Sequence, residues 1–136
     1  MHVFFIFVVM KKPFPKAKRH LEYVAFFHFQ VSTKEGPCFI FVAVDAFSQF
    51  AFSLGVERDE SPKSILKNIY FLMEQSDFVK YIDLGFTLVL GEHEELSDEI
   101  NAILKPVNGN LLFSKGFNSY LSNPVLKSFR DSLSRG

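Results

Sequence analysis

The chain has 136 residues, 48% of them hydrophobic, which is the size of one domain and provides enough apolar material for a core. Its formal net charge is zero, but residues 1–20 carry +5 and the remainder carries −5, so the main body is a poor non-specific binder of DNA phosphates. A single cysteine, Cys38, excludes an intrachain disulfide and a cysteine-rich zinc site. The chain has eighteen phenylalanines and no tryptophan, and rings without a polar group are expected in a core or an interface.

Residues 1–20 predict an apolar segment followed by a basic linker. The apolar run Val3–Met10 is too short to span a bilayer, and it lacks the basic start and cleavage site of a signal peptide. We therefore expect a cytoplasmic protein without a membrane partner. The run could be an added edge strand, a segment that binds a partner, or upstream sequence translated from a damaged gene. Lys11–His20 contains two prolines and favours an extended path. Residues 21–136 form the predicted folded domain.

Three strands are predicted next. Leu21–Gln30 is rich in aromatic and branched residues, and Thr33–Pro37 supplies turn residues before a second strand. That second strand, Cys38–Asp45, is an almost unbroken apolar run, so we expect it to be central and covered on both faces. A third strand follows at about Phe50–Val56.

A helix is predicted from about Ser61 to Gln75. Ser61 is a suitable N-cap, and Pro62 fits the first helical position. One helix face is apolar and consists of Ile65, Leu66, Ile69, Leu72 and Met73.

The remaining elements alternate between strand and helix. Thr87–Leu90 is a short strand, and an acidic helix with apolar residues from Leu96 to Leu104 follows it. Asn110–Phe113 is the fifth strand, and the polar stretch Ser114–Ser122 is predicted as a loop. The last helix is expected to begin at the cap Asn123, with Pro124 at its first position and with Val125, Leu126, Phe129 and Leu133 facing inward.

The order β-β-β-α-β-α-β-α predicts an α/β domain with a mixed sheet. The segment Val44-Asp-Ala-Phe-Ser-Gln-Phe-Ala51 is similar to the Val-Asp-x-Phe-Ser-Arg-Phe segment of the catalytic core of retroviral and transposon integrases. The resemblance covers about Lys11 to Leu133. It implies a ribonuclease H-like fold, with a five-stranded mixed sheet flanked by helices, three antiparallel strands and then two parallel ones. In such cores the aspartate of this segment is structural, so Asp45 is expected to end a strand and Ser48 to cap the turn.

The same resemblance implies that the catalytic positions are degenerate. Active members of the family hold Mg²⁺ with two aspartates and a glutamate, and the matching positions here are Gln30, Gly91 and Lys127. Gln30 follows Phe27-His28-Phe29, Gly91 opens Leu90-Gly-Glu-His-Glu-Glu-Leu96, and Lys127 lies in Ser122-Asn-Pro-Val-Leu-Lys127. A neutral amide, a residue without a side chain and a cation cannot bind two divalent ions. The expectation is therefore a core without catalytic residues, without a metal and without a cofactor.

An alternative enzyme hypothesis places a relocated metal site at His28, His93 and Glu92. Strands one and four are neighbours in this fold, so the two histidines can approach each other. The competing interpretation is that His28 is a partly buried strand residue and that Glu92, Glu94 and Glu95 belong to a solvated acidic helix start.

Two binding roles remain open from the sequence. A DNA-binding role depends on the basic side chains Lys11, Lys12, Lys16, Lys18 and Arg19, and a protein-interaction role depends on the many phenylalanines and the acidic body. The chain would in either case be an inactive integrase or transposase core, or a remnant of a mobile element.

A homodimer is also predicted. Tyr70 and Phe71 extend the apolar surface of the helix that begins near Ser61, and a monomer would expose them. The alternative is that both rings pack against Val3–Met10.

Overall fold

The structure, a computed structural model, describes residues 14–135. The five strands are β1 (Tyr23–Thr33), β2 (Gly36–Asp45), β3 (Ala51–Glu57), β4 (Phe86–Leu90) and β5 (Gly109–Phe113). The helices are α1 (Pro62–Met73), α2 (Ser76–Tyr81), α3 (Ser97–Leu104) and α4 (Lys115–Arg135). Short 3-10 turns lie at Ile82–Leu84, Glu94–Leu96 and Lys105–Val107.

The strands form one five-stranded sheet in the order β3-β2-β1-β4-β5. The pairs β1–β2 and β2–β3 are antiparallel, while β1–β4 and β4–β5 are parallel. The prediction of a mixed sheet with three antiparallel strands followed by two parallel ones is confirmed. In a parallel pair the carboxyl ends of both strands lie at the same edge of the sheet.

Helices cover both faces of this sheet. Successive residues of each strand point to opposite faces, so each strand contributes side chains to both layers. In β1, Val24 and Phe26 belong to the larger core, which also contains the buried residues of α1 and α3. Ala25 packs on the opposite face in a smaller cluster with residues of α4. The same alternation in β2 buries both of its faces, as the apolar run predicts.

Helix α1 begins where the sequence predicts. The Ser61 side chain accepts a hydrogen bond from the Ser64 N–H, and Pro62 is the first helical residue. Just before it, hydrogen bonds from Ser61 and Ser64 lower the pKa of Asp59 to about 2. These hydrogen bonds tie the connection before α1 to the first turn of the helix.

The prediction for residues 114–122 is wrong. Helix α4 already begins at Lys115, and Pro124 lies in its interior, not at its start. The Ser114 hydroxyl accepts a hydrogen bond from the Phe117 N–H, as a helix cap does. Phe117 and Leu121, one helical turn apart, are buried against the sheet. Tertiary packing of this apolar pair outweighs the low helix propensity of the surrounding glycine, asparagine and serine residues.

The short helix α2 was not predicted. It places Phe78 in the core, where its ring lies 5.9 Å from that of Phe52 and 5.0 Å from that of Phe86. A helix of six residues is too short to show a helical repeat of apolar positions in the sequence.

Candidate functional site

A cavity lies at the carboxyl end of β4, beside the middle of β1 and the first turns of α4. The strands contribute Phe26, Phe27, His28 and Leu90, and the connection after β4 contributes Gly91, Glu92 and His93. Helix α4 contributes Lys115, Asn118, Ser119, Ser122 and Leu126. Ligands of open α/β sheets bind at such strand ends.

Asn118 joins α4 to both strands at the base of this cavity. Its side chain is buried, and its amide nitrogen donates to the backbone carbonyls of Phe26 and Val89 at 3.0 and 2.9 Å. One side chain therefore satisfies carbonyls of β1 and β4 where the two strands diverge. The space beside it is limited, because a Cβ added to Gly91 would lie 3.4 Å from the Asn118 Cβ.

His28 enters the cavity from β1. Its side chain is 9% exposed, and its ring lies 4.9 Å from that of Phe41. The Nε2 atom lies 2.8 Å from Oε2 of Glu60, a carboxylate in the connection before α1. The partly buried strand histidine of the sequence analysis thus has a carboxylate partner.

His93 enters from the connection between β4 and α3. It has a left-handed backbone, with φ 74° and ψ 41°, an uncommon conformation for a residue with a side chain. Its Nδ1 lies 3.4 Å from Glu95 Oε1. Its Nε2 lies 3.2 Å from Glu92 Oε1, but this contact does not meet hydrogen-bond geometry, and within residues 14–135 the buried Nε2 has no hydrogen-bond partner.

The structure brings His28, Glu92 and His93 together. The two imidazole rings stack at 6.0 Å between centroids, with 29° between their planes. One nitrogen of each ring and one oxygen of Glu92 all lie within 4.8 Å of one another. These are the three residues of the relocated site that the sequence analysis proposed.

The three positions at which the resemblance implies lost carboxylates do not line one common cavity. Gly91 lines the cavity described above. Gln30 is exposed and lines a separate cleft with Phe129 and Arg130 of α4. Lys127 is exposed on α4 and lines neither of these two spaces. Helix α4 contributes other residues to the cavity, among them Asn118. The sequence did not predict this contribution, because residues 114–122 were predicted to form a loop.

Asp45 has the structural role that the sequence predicts. The buried carboxylate ends β2 and accepts hydrogen bonds from the Leu21 N–H at 3.0 Å and from the Phe47 N–H at 3.3 Å. Its other oxygen accepts from the Ser48 N–H at 3.3 Å and from the Ser48 hydroxyl at 2.7 Å, and His20 Nδ1 lies 3.4 Å away. The carboxylate therefore organises both the turn and the entry to β1.

The basic segment is described only from residue 14 onward, so Lys11 and Lys12, like Val3–Met10, lie outside the described residues. Lys16 and Lys18 are exposed. Arg19 instead donates to the carbonyls of Leu84 and Gly85 at 2.9 and 2.8 Å, so its guanidinium supports the chain before β4. The ring of Phe14 stacks on that of Phe117 at 5.3 Å between centroids.

Tyr70 and Phe71 of α1, the residues of the predicted dimer interface, are 59% and 44% exposed. Both rings thus lie at the surface of the described structure, and the predicted dimer stays a prediction. No helix among the described residues is long and apolar enough to cross a membrane.

Comparison with known proteins supports the fold alone. No protein-family model and no curated protein matches the sequence. A solved structure of similar fold is a chain in the cryo-EM structure of the simian T-cell lymphotropic virus intasome in complex with PP2A regulatory subunit B56 gamma. The TM-score is 0.63 at 9% sequence identity, over 84% of this chain and 41% of that chain. The present chain thus spans less than half the length of its structural neighbour.

Proposed function

We propose that this chain is an integrase core-like domain of the ribonuclease H-like class that acts by binding and does not carry out polynucleotidyl transfer. One observation carries the proposal. Among the described residues that line the cavity between β1, the end of β4 and α4, Glu92 is the single carboxylate. The likeness in fold to a chain of a viral intasome structure supports the class.

The side chains of this cavity do not fit a pair of Mg²⁺ ions. Mg²⁺ prefers hard oxygen ligands, and two-metal catalysis needs several carboxylates to hold both ions. Glu92 offers one carboxylate, while His28 and His93 offer nitrogen. The Asn118 amide nitrogen is already used by two backbone carbonyls, and Lys115 adds a positive charge at the wall. We therefore do not expect this cavity to support the Mg²⁺-dependent polynucleotidyl transfer of active integrase cores.

Protein interaction is the binding role that the surface supports best. Large apolar side chains are exposed on two sides of the domain, Phe47 and Phe50 after β2 and Tyr70 and Phe71 on α1. Exposed aromatic rings are enriched in protein interfaces. A DNA-binding role has less support, because Arg19 is engaged with backbone carbonyls and the body of the chain is net acidic.

A cleavage assay tests the loss of catalysis. The protein is incubated with single-stranded and duplex DNA in Mg²⁺ or Mn²⁺, and we expect no cleavage or joining above that of a boiled sample. The second candidate, an enzyme with a relocated site at His28, Glu92 and His93, is favoured by their proximity. Divalent-dependent cleavage that disappears in Glu92→Gln would establish this second candidate and overturn the first.

The salt dependence of binding to random duplex DNA tests the remaining role. Each phosphate contact contributes about −0.9 to the slope of log K against log salt. A variant with Lys11, Lys12, Lys16 and Lys18 changed to glutamine keeps Phe14 and Arg19, which pack against the domain. We expect weak binding and a shallow slope for both proteins. A steep wild-type slope that falls by about 3 or more in the variant would favour DNA binding.

A further inference from the structure

We propose that His28, Glu92 and His93 bind one transition-metal dication of the zinc type, which joins the middle of β1 to the connection after β4. The resemblance to integrases implied a chain without a bound metal, and the proposed site departs from that expectation. It does not depend on the proposed function, since a bound zinc ion can hold two segments together without catalysing a reaction.

The hydrogen-bond partners of the two histidines leave lone pairs for a metal. If Glu95 accepts the proton of His93 Nδ1, then His93 Nε2 carries a lone pair. Glu92 Oε1 lies 3.2 Å from this nitrogen, but the two atoms do not have hydrogen-bond geometry. A proton or a metal ion between two acceptors this close removes their mutual repulsion. His28 has the same arrangement, because Glu60 at its Nε2 leaves the lone pair on Nδ1.

A carboxylate behind a histidine is the usual outer support of a metal-bound imidazole. Here Glu60 supports His28 and Glu95 supports His93. Both histidine side chains are largely buried, with 9% and 23% exposure, so their rings have few alternative positions. Glu92 is 70% exposed and can move its carboxylate toward an ion.

The three ligand atoms are close enough to bind a small ion if they move slightly closer together. Zinc bonds to nitrogen and oxygen measure about 2.0–2.2 Å, which places neighbouring ligand atoms of a tetrahedral site roughly 3.4 Å apart. The three ligand atoms lie within 4.8 Å of one another before any closure. Rotation of the exposed Glu92 side chain can supply much of the difference.

The ligand types select the class of ion. Two imidazole nitrogens and one carboxylate favour Zn²⁺, Co²⁺ or Ni²⁺ over Mg²⁺ and Ca²⁺. Three protein ligands leave a fourth position for water. The cavity wall also carries Lys115, whose charge opposes a cation, but the carboxylates of Glu60, Glu92 and Glu95 outnumber it.

Calorimetric titration of the full, chelator-treated chain with ZnCl₂ tests the proposal. We expect one Zn²⁺ per chain with a micromolar or lower Kd. His93→Ala, His28→Ala and Glu92→Gln should each weaken binding at least tenfold, as should Glu95→Gln if it orients His93, for which about 10–100-fold is typical. Because His28→Ala alters a packed ring, the exposed Glu92→Gln variant keeps the test valid if the first variant does not fold.

His20→Ala is the matched control. His20 lies beside Asp45, away from the cavity, and its loss should leave Zn²⁺ binding unchanged. Absence of Zn²⁺ binding, or equal loss in His20→Ala and Glu92→Gln, would overturn the proposed site. A parallel titration with MgCl₂ keeps the two proposals separate, because Mg²⁺ binding lost in Glu92→Gln would count against the inactive core and not against a zinc site.

Discussion

Changing Asp45 to asparagine should destabilise this domain strongly without altering its shape. The substitution keeps the volume of the side chain but replaces one of its two acceptor oxygens with an NH₂ group. Each oxygen accepts at least two hydrogen bonds, from Leu21 and Phe47 on one side and from the Ser48 N–H and hydroxyl on the other. Either orientation of the new amide therefore places its NH₂ against donors in a buried position.

The magnitude follows from those contacts. A hydrogen bond to a charged group contributes about 1.5–3 kcal/mol, and an unsatisfied buried donor costs about 1–3 kcal/mol. Two bonds are lost on one oxygen, and the rest lose their charge assistance, so we expect a loss of roughly 3 kcal/mol. A domain of this size has a free energy of unfolding of about 5–15 kcal/mol. With a urea m-value of about 2 kcal/mol per M, the midpoint should fall by about 1.5 M.

Urea unfolding followed by far-UV circular dichroism measures this shift. Ser48→Ala removes the hydroxyl alone and should cost about 1 kcal/mol. Asp77→Asn is the matched control, because Asp77 and Asp45 line one shared cleft but Asp77 is exposed. This substitution should change the free energy of unfolding by no more than about 0.5 kcal/mol. If Asp45→Asn unfolds at the same midpoint as Asp77→Asn, then the carboxylate does not organise the turn, and the structural role assigned to it is wrong.

Three further predictions concern the helices. Asn118→Ala leaves two buried carbonyls without their donor and should lower the free energy of unfolding in urea by roughly 2–4 kcal/mol. Ser119→Ala, in the same cavity wall, should lower it by less than about 1 kcal/mol. Equal effects of the two substitutions would contradict the role of Asn118. Phe71→Glu should convert a wild-type dimer into a folded monomer in sedimentation at micromolar concentration, and a wild-type monomer there would refute the dimer. The pKa of Asp59 is lowered by folding from 3.8 to about 2, so its stabilising effect is complete above pH 3.8 and is lost as the pH falls through 2. The stability difference between wild type and Asp59→Asn should therefore shrink over that range in acid titrations of folding, and a difference that stays constant would contradict this assignment.

The sequence by itself determined the strands, the first helix and the class of the fold. Strand β2 was predictable because an unbroken apolar run has one stable location, the centre of a sheet covered on both faces. Helix α1 was predictable because a cap, a proline and an apolar face with helical spacing all agree. The left-to-right order of strands, in contrast, depends on contacts between residues far apart in the chain, which no local pattern records.

The cavity shows the same division between local and tertiary information. His28, Glu92 and His93 were candidates from the sequence because strands one and four are neighbours in the fold that the resemblance implies. The sequence could not predict that α4 begins at Lys115, since its first turns are polar and are held by the burial of Phe117 against the sheet. Nor could it predict that Asn118 joins β1 to β4, because that side chain binds carbonyls at sequence separations of 92 and 29 residues. Local propensity sets which segments form strands and helices, and only tertiary packing decides which side chains meet at the site.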